Sequence, residues 1–165
     1  MLNLSNDIKM IVSDFDGVFT DGSVYISENN DVQKRLNFKD IMGVHLLITN
    51  GINFGIISGE ASNILNYFKN NFHLEDIYGG VRQKGPVLDD ILKKYNLSED
   101  EVLYIGDDIN DIPAMNLVKY RIAPKNVNPI VIKKVDNLQI TNAFGGDGAI
   151  REIADTLLEL KCLQK

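Results

Sequence analysis

Residues 8 to 22, IKMIVSDFDGVFTDG, run from an apolar segment directly into three aspartates and two glycines. Ile8 to Val12 has the length and β-branched content of a buried strand rather than a helix. Asp14 and Asp16 therefore stand where that strand ends, on a rigid element. Asp16-Gly17 turns the chain, and Asp21-Gly22 turns it again. Two carboxylates this close repel unless a metal, a shared proton or a cation compensates them. Read alone, the segment is also compatible with a strand and an ordinary acidic turn, so the remaining sequence has to decide.

Further along, residues 24–26 and 32–38 flank a polar turn and predict a short hairpin projecting from the end of the first strand. Helices are predicted over 40–50, 60–71, 84–95, 110–118, 128–134 and 149–160. Gly51 closes the first of these and Pro113 falls in the first turn of the fourth. Strands are predicted over 53–57, 77–78, 102–105 and 120–123, with 138–141 as an edge strand. Apolar strands alternating with helices specify an α/β fold, an open, mostly parallel sheet with helices on both faces. In such sheets ligands bind at the carboxyl ends of the strands, near a switch in strand order. Each polar cluster in this sequence falls at such an end.

The chain of 165 residues is read as one domain over 1–165, with 44% hydrophobic and 24% charged residues. Cys162 is the sole cysteine, so no intramolecular disulfide forms, and a reducing, cytoplasmic location is expected. No apolar stretch reaches membrane-spanning length, which predicts no membrane partner. The net charge of -6 comes without a dense Lys/Arg cluster, so nucleic acid is not the expected partner. An anionic substrate would instead need a metal and a few placed lysines or arginines.

Four stations recur in order: Asp14 and Asp16 after the first strand, Ser58 after the second, Lys84 opening a helix, and Asp107, Asp108 and Asp111 in GDDIND. Singly, Ser58 reads as a helix cap, Lys84 as a surface lysine and GDDIND as a turn with an N-cap. Together they fit phosphoryl transfer through an aspartyl phosphate. A carboxylate can attack phosphorus and split hydrolysis into two displacements. Phosphate and carboxylate repel, so a divalent cation must bridge them, and hard oxygen ligands select Mg²⁺. In this reading Asp14 attacks and binds Mg²⁺, and Asp16 exchanges a proton with the leaving oxygen and then with water. Asp107 completes the metal ligands, with Asp108 and Asp111 in support. Lys84 balances the charge, and Ser58 with backbone N–H groups binds the remaining phosphoryl oxygens.

DFDGVFTDG, IISGE, Lys84 and GDDIND resemble the four motifs of the haloacid dehalogenase superfamily, in order and with the spacing of its small members. TDG at 20–22, LNFKDIMGV at 36–44 and GGDGAIRE at 145–152 resemble more narrowly the 3-deoxy-D-manno-octulosonate 8-phosphate phosphatases and their nonulosonate 9-phosphate relatives. The resemblance spans about Ile8 to Leu160. It implies a Rossmann-like, doubly wound sheet with a β-hairpin flap and no separate cap domain. It implies a phosphorylated sugar acid as substrate, with Ser58, Gly59, Glu60 and Lys84 touching it, and Mg²⁺ held at Asp14, Asp16 and Asp107. It also implies a homotetramer in which a neighbouring subunit covers the site.

Two positions divide the family. The residue after Ser58-Gly59 is Glu60, where the octulosonate branch resembles one another in having Arg, and Asp147 likewise replaces a common Arg. Both lean toward a nine-carbon sugar acid. Basic residues of the nonulosonate branch that hold the substrate carboxylate correspond here to Phe68 and Asn71, which moves that role to Lys69, Lys39 or Arg82. His45 and His73 lack metal-ligand partners and read as packing or solvent residues, while Arg151 and Glu152 are expected to pair. Competing functions are a promiscuous sugar-phosphate phosphatase and a non-catalytic oligomerisation module associated with an acylneuraminate cytidylyltransferase. Intact Asp14, Asp16, Lys84 and Asp107 argue against the latter. A phosphorelay receiver is excluded by order, because there the lysine follows the last strand and the phosphorylated aspartate lies mid-chain.

Overall fold

A computed structural model describes residues 2–162. Six parallel strands form the main sheet in the order β5-β4-β1-β6-β7-β8: β1 (Met10–Ser13), β4 (Asn53–Ile57), β5 (Ile77–Tyr78), β6 (Val102–Ile105), β7 (Tyr120–Ala123) and β8 (Gln139–Ile140). β2 (Tyr25–Ile26) and β3 (Val32–Gln33) pair antiparallel as a separate hairpin. The helices are α1 (Phe38–Thr49), α2 (Leu65–Phe72), α3 (Lys84–Tyr95), α4 (Ile112–Met115), α5 (Pro129–Lys134) and α6 (Ala149–Cys162). This is the α/β architecture expected, with a hairpin and no separate cap among the described residues.

Period-two alternation explains why a continuously apolar strand is required. Ile11 faces a core built with α1, α2 and α6, where Val44, Leu47, Phe68, Ile153 and Leu157 are buried. Met10 and Val12 face the opposite core, with Leu88 and Ile91 of α3 and Met115 of α4. Both faces of β1 are covered, so no position on it can be polar without a partner. β1 pairs with β4 on one side and β6 on the other, Ser13 lying level with Ile56 and Ile105. The strand order therefore reverses at β1, and the residues that follow β1, β4 and β6 emerge along one edge.

Several boundaries move for local reasons. The hairpin arm expected over 32–38 pairs only at Val32 and Gln33, because Asn37 caps α1: its Oδ1 accepts the Lys39 N–H at 2.9 Å. The helix expected from Glu60 begins at Leu65. Residues 60–64 instead form a polar turn, in which the Glu60 N–H donates to Ser58 Oγ at 3.2 Å and the Leu65 N–H to the Ser62 carbonyl. The helix expected over 110–118 is split into a 3₁₀ turn, Ile109–Asp111, followed by α4. Arg151 pairs with Asp155 at 2.7 Å rather than with Glu152, since neighbouring helix positions do not face each other. Glu152 accepts the N–H groups of Asn142 and Ala143 instead.

α6 is anchored by a residue far from it in sequence. Asp40, fully buried on α1, accepts the N–H groups of Gly148 and Ile150 at 2.9 Å and of Arg151 at 3.4 Å. Its carboxylate thus caps the start of α6, satisfying donors that the helix itself leaves unpaired. Burial raises its pKa despite those donors. Replacing Asp40 by Ala is expected to cost on the order of 2–4 kcal/mol in urea unfolding, since buried N–H groups lose a charged acceptor. A loss below about 0.5 kcal/mol, the range of an ordinary surface change, would contradict this role.

Candidate active site

The edge where β1, β4 and β6 end carries the site. Asp14, directly after β1, donates its N–H to the Ile105 carbonyl at 2.8 Å, so its backbone is fixed by the sheet. Its Oδ1 accepts the Phe15 N–H at 2.7 Å and lies 2.7 Å from Lys84 Nζ. Among the described residues no donor reaches its Oδ2. Lys84 is fully buried at the first position of α3, and its ammonium also binds Asp111 Oδ1 at 2.7 Å. Asp111 is saturated. Tyr104 Oη donates to Oδ1 at 2.8 Å, and the N–H groups of Asp107 and Asp108 donate to Oδ2 at 3.1 Å. Four donors use the acceptor capacity of a carboxylate.

Carboxylate oxygens of Asp14, Asp107 and Asp111 come within 4.8 Å of one another. Burial, and then the Asp111 charge, raise the pKa of Asp14 to about 8. Burial followed by Asp111 and Asp108 raise that of Asp107 to about 7. For Lys84 burial alone would lower the value, but Asp111 and Asp14 outweigh it and the pKa is raised. The cluster therefore carries more acid than its lysine neutralises. Because Asp111 is saturated, the oxygens able to hold a cation are Asp14 Oδ2 and the Asp107 carboxylate. Two hard, closely spaced oxygens that keep space for water and phosphate suit Mg²⁺. Gly17, at φ +80°, makes the approach possible, since a Cβ there would overlap the Asp107 carboxylate.

A cleft of about 230 Å³ opens over this cluster, lined by Asp14, Asp16, Gly17, Gly22, Gly59, Glu60, Asp107, Asp108 and Asn110. Ser58 is buried just behind that wall, its Oγ accepting the Glu60 N–H. Lys84 likewise acts from below, through Asp14. The Asp16 side chain is not part of the three-carboxylate cluster; both its oxygens lie 2.8 Å from Lys34 Nζ. Lys34 also binds Glu60. Burial would lower the Lys34 pKa, but Asp16 and Glu60 outweigh it and raise the value. Sequence reasoning overlooked Lys34, Asn110 and Tyr104. Nothing in QKRLN separates Lys34 from Arg35, which turns the other way to Asp21 and the Gly146 carbonyl.

Lys39, Lys69 and Arg82, the candidates for holding a substrate carboxylate, are not among the residues lining the cleft. Lys39 lines a separate groove with Asp147 and Arg151, and Lys69 borders another near Ala61. Asp147 therefore lies outside the cleft, whereas Glu60 is in its wall. Phe68 is fully buried in a cluster with Phe15, Phe19 and Phe72. His45 and His73 lie away from the cleft, His73 ending α2 in the left-handed region at φ 53°.

The charge imbalance at Asp14 and Asp107 has a measurable consequence. Their folded-state pKa values are raised, so the metal-free folded chain binds more protons than the unfolded chain between about pH 4 and 8. Its stability from these groups is present at low pH and lost as pH rises through the folded values. Mg²⁺ requires the ionised forms, so its stabilisation runs the opposite way. The rise in melting temperature on replacing EDTA by Mg²⁺ is expected to grow steadily from about pH 5 to about pH 8. A rise that is flat or shrinks over this range in thermal melts would contradict the assignment.

Residues 49–152 match the family of haloacid dehalogenase-like hydrolases. The 3-deoxy-D-manno-octulosonate 8-phosphate phosphatase of Salmonella typhi is 30% identical over 158 residues, 96% of this chain and 83% of that protein. The crystal structure of the Yersinia pestis enzyme of the same name superposes with a TM-score of 0.88 at 30% identity, covering 95% of this chain and 84% of the other. The Moraxella catarrhalis enzyme, described in complex with magnesium ion, phosphate ion and KDO, gives a TM-score of 0.87 at 26% identity over 96% and 92%. With strand-end aspartates, a buried lysine and a hairpin arranged on this sheet, the chain belongs to the haloacid dehalogenase-like hydrolases, in the family of the 3-deoxy-D-manno-octulosonate 8-phosphate phosphatases.

Proposed function

We propose that the chain is a Mg²⁺-dependent phosphatase that removes the terminal phosphate of a 3-deoxy-2-ulosonic sugar acid. The observation that carries this is the state of Asp14: it lines the cleft with Oδ2 free of donors among the described residues, while Lys84 and the Phe15 N–H hold Oδ1. Oδ1 is thus fixed, and Oδ2 keeps both lone pairs, one that would face the cation and one that attacks phosphorus. Bound at Asp14 and Asp107, Mg²⁺ supplies the positive charge that lets a phosphate dianion approach a carboxylate.

Asp14 Oδ2 forms a bond to phosphorus as the bond from phosphorus to the sugar oxygen breaks. The electron pair goes to the sugar oxygen, which takes a proton from the Asp16 carboxyl group. Water then gives a proton to the Asp16 carboxylate and attacks phosphorus. The bond to Asp14 breaks, returning the free carboxylate and releasing phosphate. Lys84 keeps the Asp14 side chain in one orientation through both steps. Gly59, Ser58 and the backbone after Asp14 accommodate the phosphoryl oxygens.

Glu60, in the wall with Oε1 free of donors among the described residues, supports recognition of sugar hydroxyls and favours a nine-carbon acid. The test is phosphate release with Mg²⁺ from 3-deoxy-D-manno-octulosonate 8-phosphate and from nonulosonate 9-phosphates, measured side by side. Preference for the nine-carbon esters supports Glu60 as a specificity residue, and preference for the eight-carbon ester removes that role. Slow, equal turnover of both would favour the promiscuous phosphatase. That alternative is supported by the small cleft and by the absence of Lys39, Lys69 and Arg82 from its lining. A homotetramer is proposed on the exposed apolar hairpin, where Tyr25 is 63% and Ile26 64% exposed. A fully active monomer in light scattering would overturn it. Among the described residues no helix is long and apolar enough to cross a membrane.

A further inference from the structure

Lys34 is a polar residue of an exposed arm, yet its side chain is only 2% exposed. It leaves the hairpin just after β3 and reaches back beneath the cleft. Both oxygens of Asp16 lie 2.8 Å from its ammonium, and Glu60 Oε2 binds the same nitrogen. Its ammonium also lies 5.9 Å from the Phe15 ring centroid, on the face of the first loop. One side chain thus joins three separate segments: the loop after β1, the hairpin arm and the loop after β4. Asp16 is 35% exposed, and among the described residues no other side-chain donor fixes its carboxylate. A solvent-accessible carboxylate without such a tie samples several rotamers, and a proton donor misplaced by an ångström loses much of its effect.

We propose that Lys34 is a positioning residue, which sets the orientation of the Asp16 carboxylate beside Asp14 and links it to Glu60 in the sugar-facing wall. The inference rests on the proposed role of Asp16 in proton transfer. Lys34 acts through Asp16 and not on the substrate, since its ammonium is covered by the two carboxylates. The link to Glu60 gives the arrangement a direction. A sugar hydroxyl that engages Glu60 acts on the same ammonium that holds Asp16, so recognition of the sugar and placement of the proton donor share one side chain. Arginine can span two carboxylates with its planar fork, whereas methionine fills similar space with no donor.

The test compares Lys34→Met, Lys34→Arg and Asp16→Asn on two esters with Mg²⁺ in single-turnover release of the leaving group, which reads formation of the aspartyl phosphate apart from its hydrolysis, where Asp16 also serves. The 8-phosphate of 3-deoxy-D-manno-octulosonate leaves as an alkoxide that needs a proton; 2,4-dinitrophenyl phosphate leaves without one. Lys34→Met is expected to slow release of the sugar about 10–100-fold, with half-saturation by the sugar ester and the rate of dinitrophenolate release within about threefold of the parent. Lys34→Arg recovers most of the loss. Combining Lys34→Met with Asp16→Asn is no worse than Asp16→Asn alone, because both remove the same contribution. Equal losses in leaving-group release from the two esters, or weaker half-saturation with the release rate unchanged, overturn the positioning role. If Asp16→Asn itself fails to separate the esters, the reading of Asp16 fails first, and the Lys34 proposal falls with it. If Asp16→Asn separates them and Lys34→Met does not, only the Lys34 proposal is lost.

Discussion

Asp14→Asn is expected to abolish phosphate release, by at least about 10⁴-fold, in a protein that folds normally. Asparagine keeps an Oδ1 that can accept from the Phe15 N–H and Lys84 at the observed positions. What it removes is the oxygen free to attack phosphorus, replaced by an amide nitrogen with no available lone pair. The same change discards a carboxyl group that burial and Asp111 push up to about 8. In EDTA near pH 8 the variant should therefore melt no lower than the parent. Single-turnover release of phosphate and thermal melts check the two halves separately. An active Asp14→Asn protein would remove the covalent mechanism, whereas an inactive but unfolded one would leave the role of Asp14 to trapping of its phosphorylated form by mass spectrometry in the parent enzyme.

Lys84→Met carries the second large effect, and it acts on stability as well as rate. The Lys84 side chain is 0% exposed, between Asp14 and Asp111. Removing it leaves two acids in a buried site without their cation, and breaking such a pair typically costs about 3–5 kcal/mol. Urea unfolding without metal should show that loss. Adding Asp111→Asn to Lys84→Met should return part of it, because one of the uncompensated charges is then gone. A loss below about 1 kcal/mol, or no recovery in the double variant, would mean that the ammonium is not what balances this cluster. Turnover falls in either variant, since Asp14 loses the partner that fixes its orientation.

Much of this arrangement is legible in the residues because strand ends in a parallel sheet are forced together. The apolar runs 53–57, 102–105 and 120–123 match β4, β6 and β7, and the helix 84–95 matches α3, placing Lys84 at its start. Once those strands lie beside β1, Asp14, Ser58 and Asp107 have little freedom to be elsewhere. Where local pattern competes with the site, it loses. Residues 60–64 have helical spacing, yet their backbone turns over Ser58 to bring Glu60 into the wall. The division of labour within GDDIND is also invisible in the string. Asp111 accepts four hydrogen bonds and supports the cluster, while the Asp107 carboxylate, beside Gly17, takes no side-chain donor among the described residues. Lys34 could not be found by any period or motif, since only the fold of the hairpin separates its direction from that of Arg35.

The loop that bears Asp16 and Gly17 is braced by residues synthesised long after it. Asn126 Nδ2 donates to the Gly17 carbonyl at 3.1 Å, and its Oδ1 accepts the Gly145 N–H at 2.7 Å. The Gly146 N–H donates to the Val18 carbonyl at 2.8 Å, in a space so tight that a Cβ on Gly145 would collide with the Gly17 backbone. A nascent chain that has passed Asp111 already contains every acid of the metal cluster but none of this brace. Such long-range contacts close late, after the loop-closure entropy between distant segments has been overcome. Bracing of this loop is thereby tied to completion of the chain up to α6, and a ribosome-bound fragment ending before residue 126 would hold the acids and the lining of the cleft without the contacts that fix the loop between them.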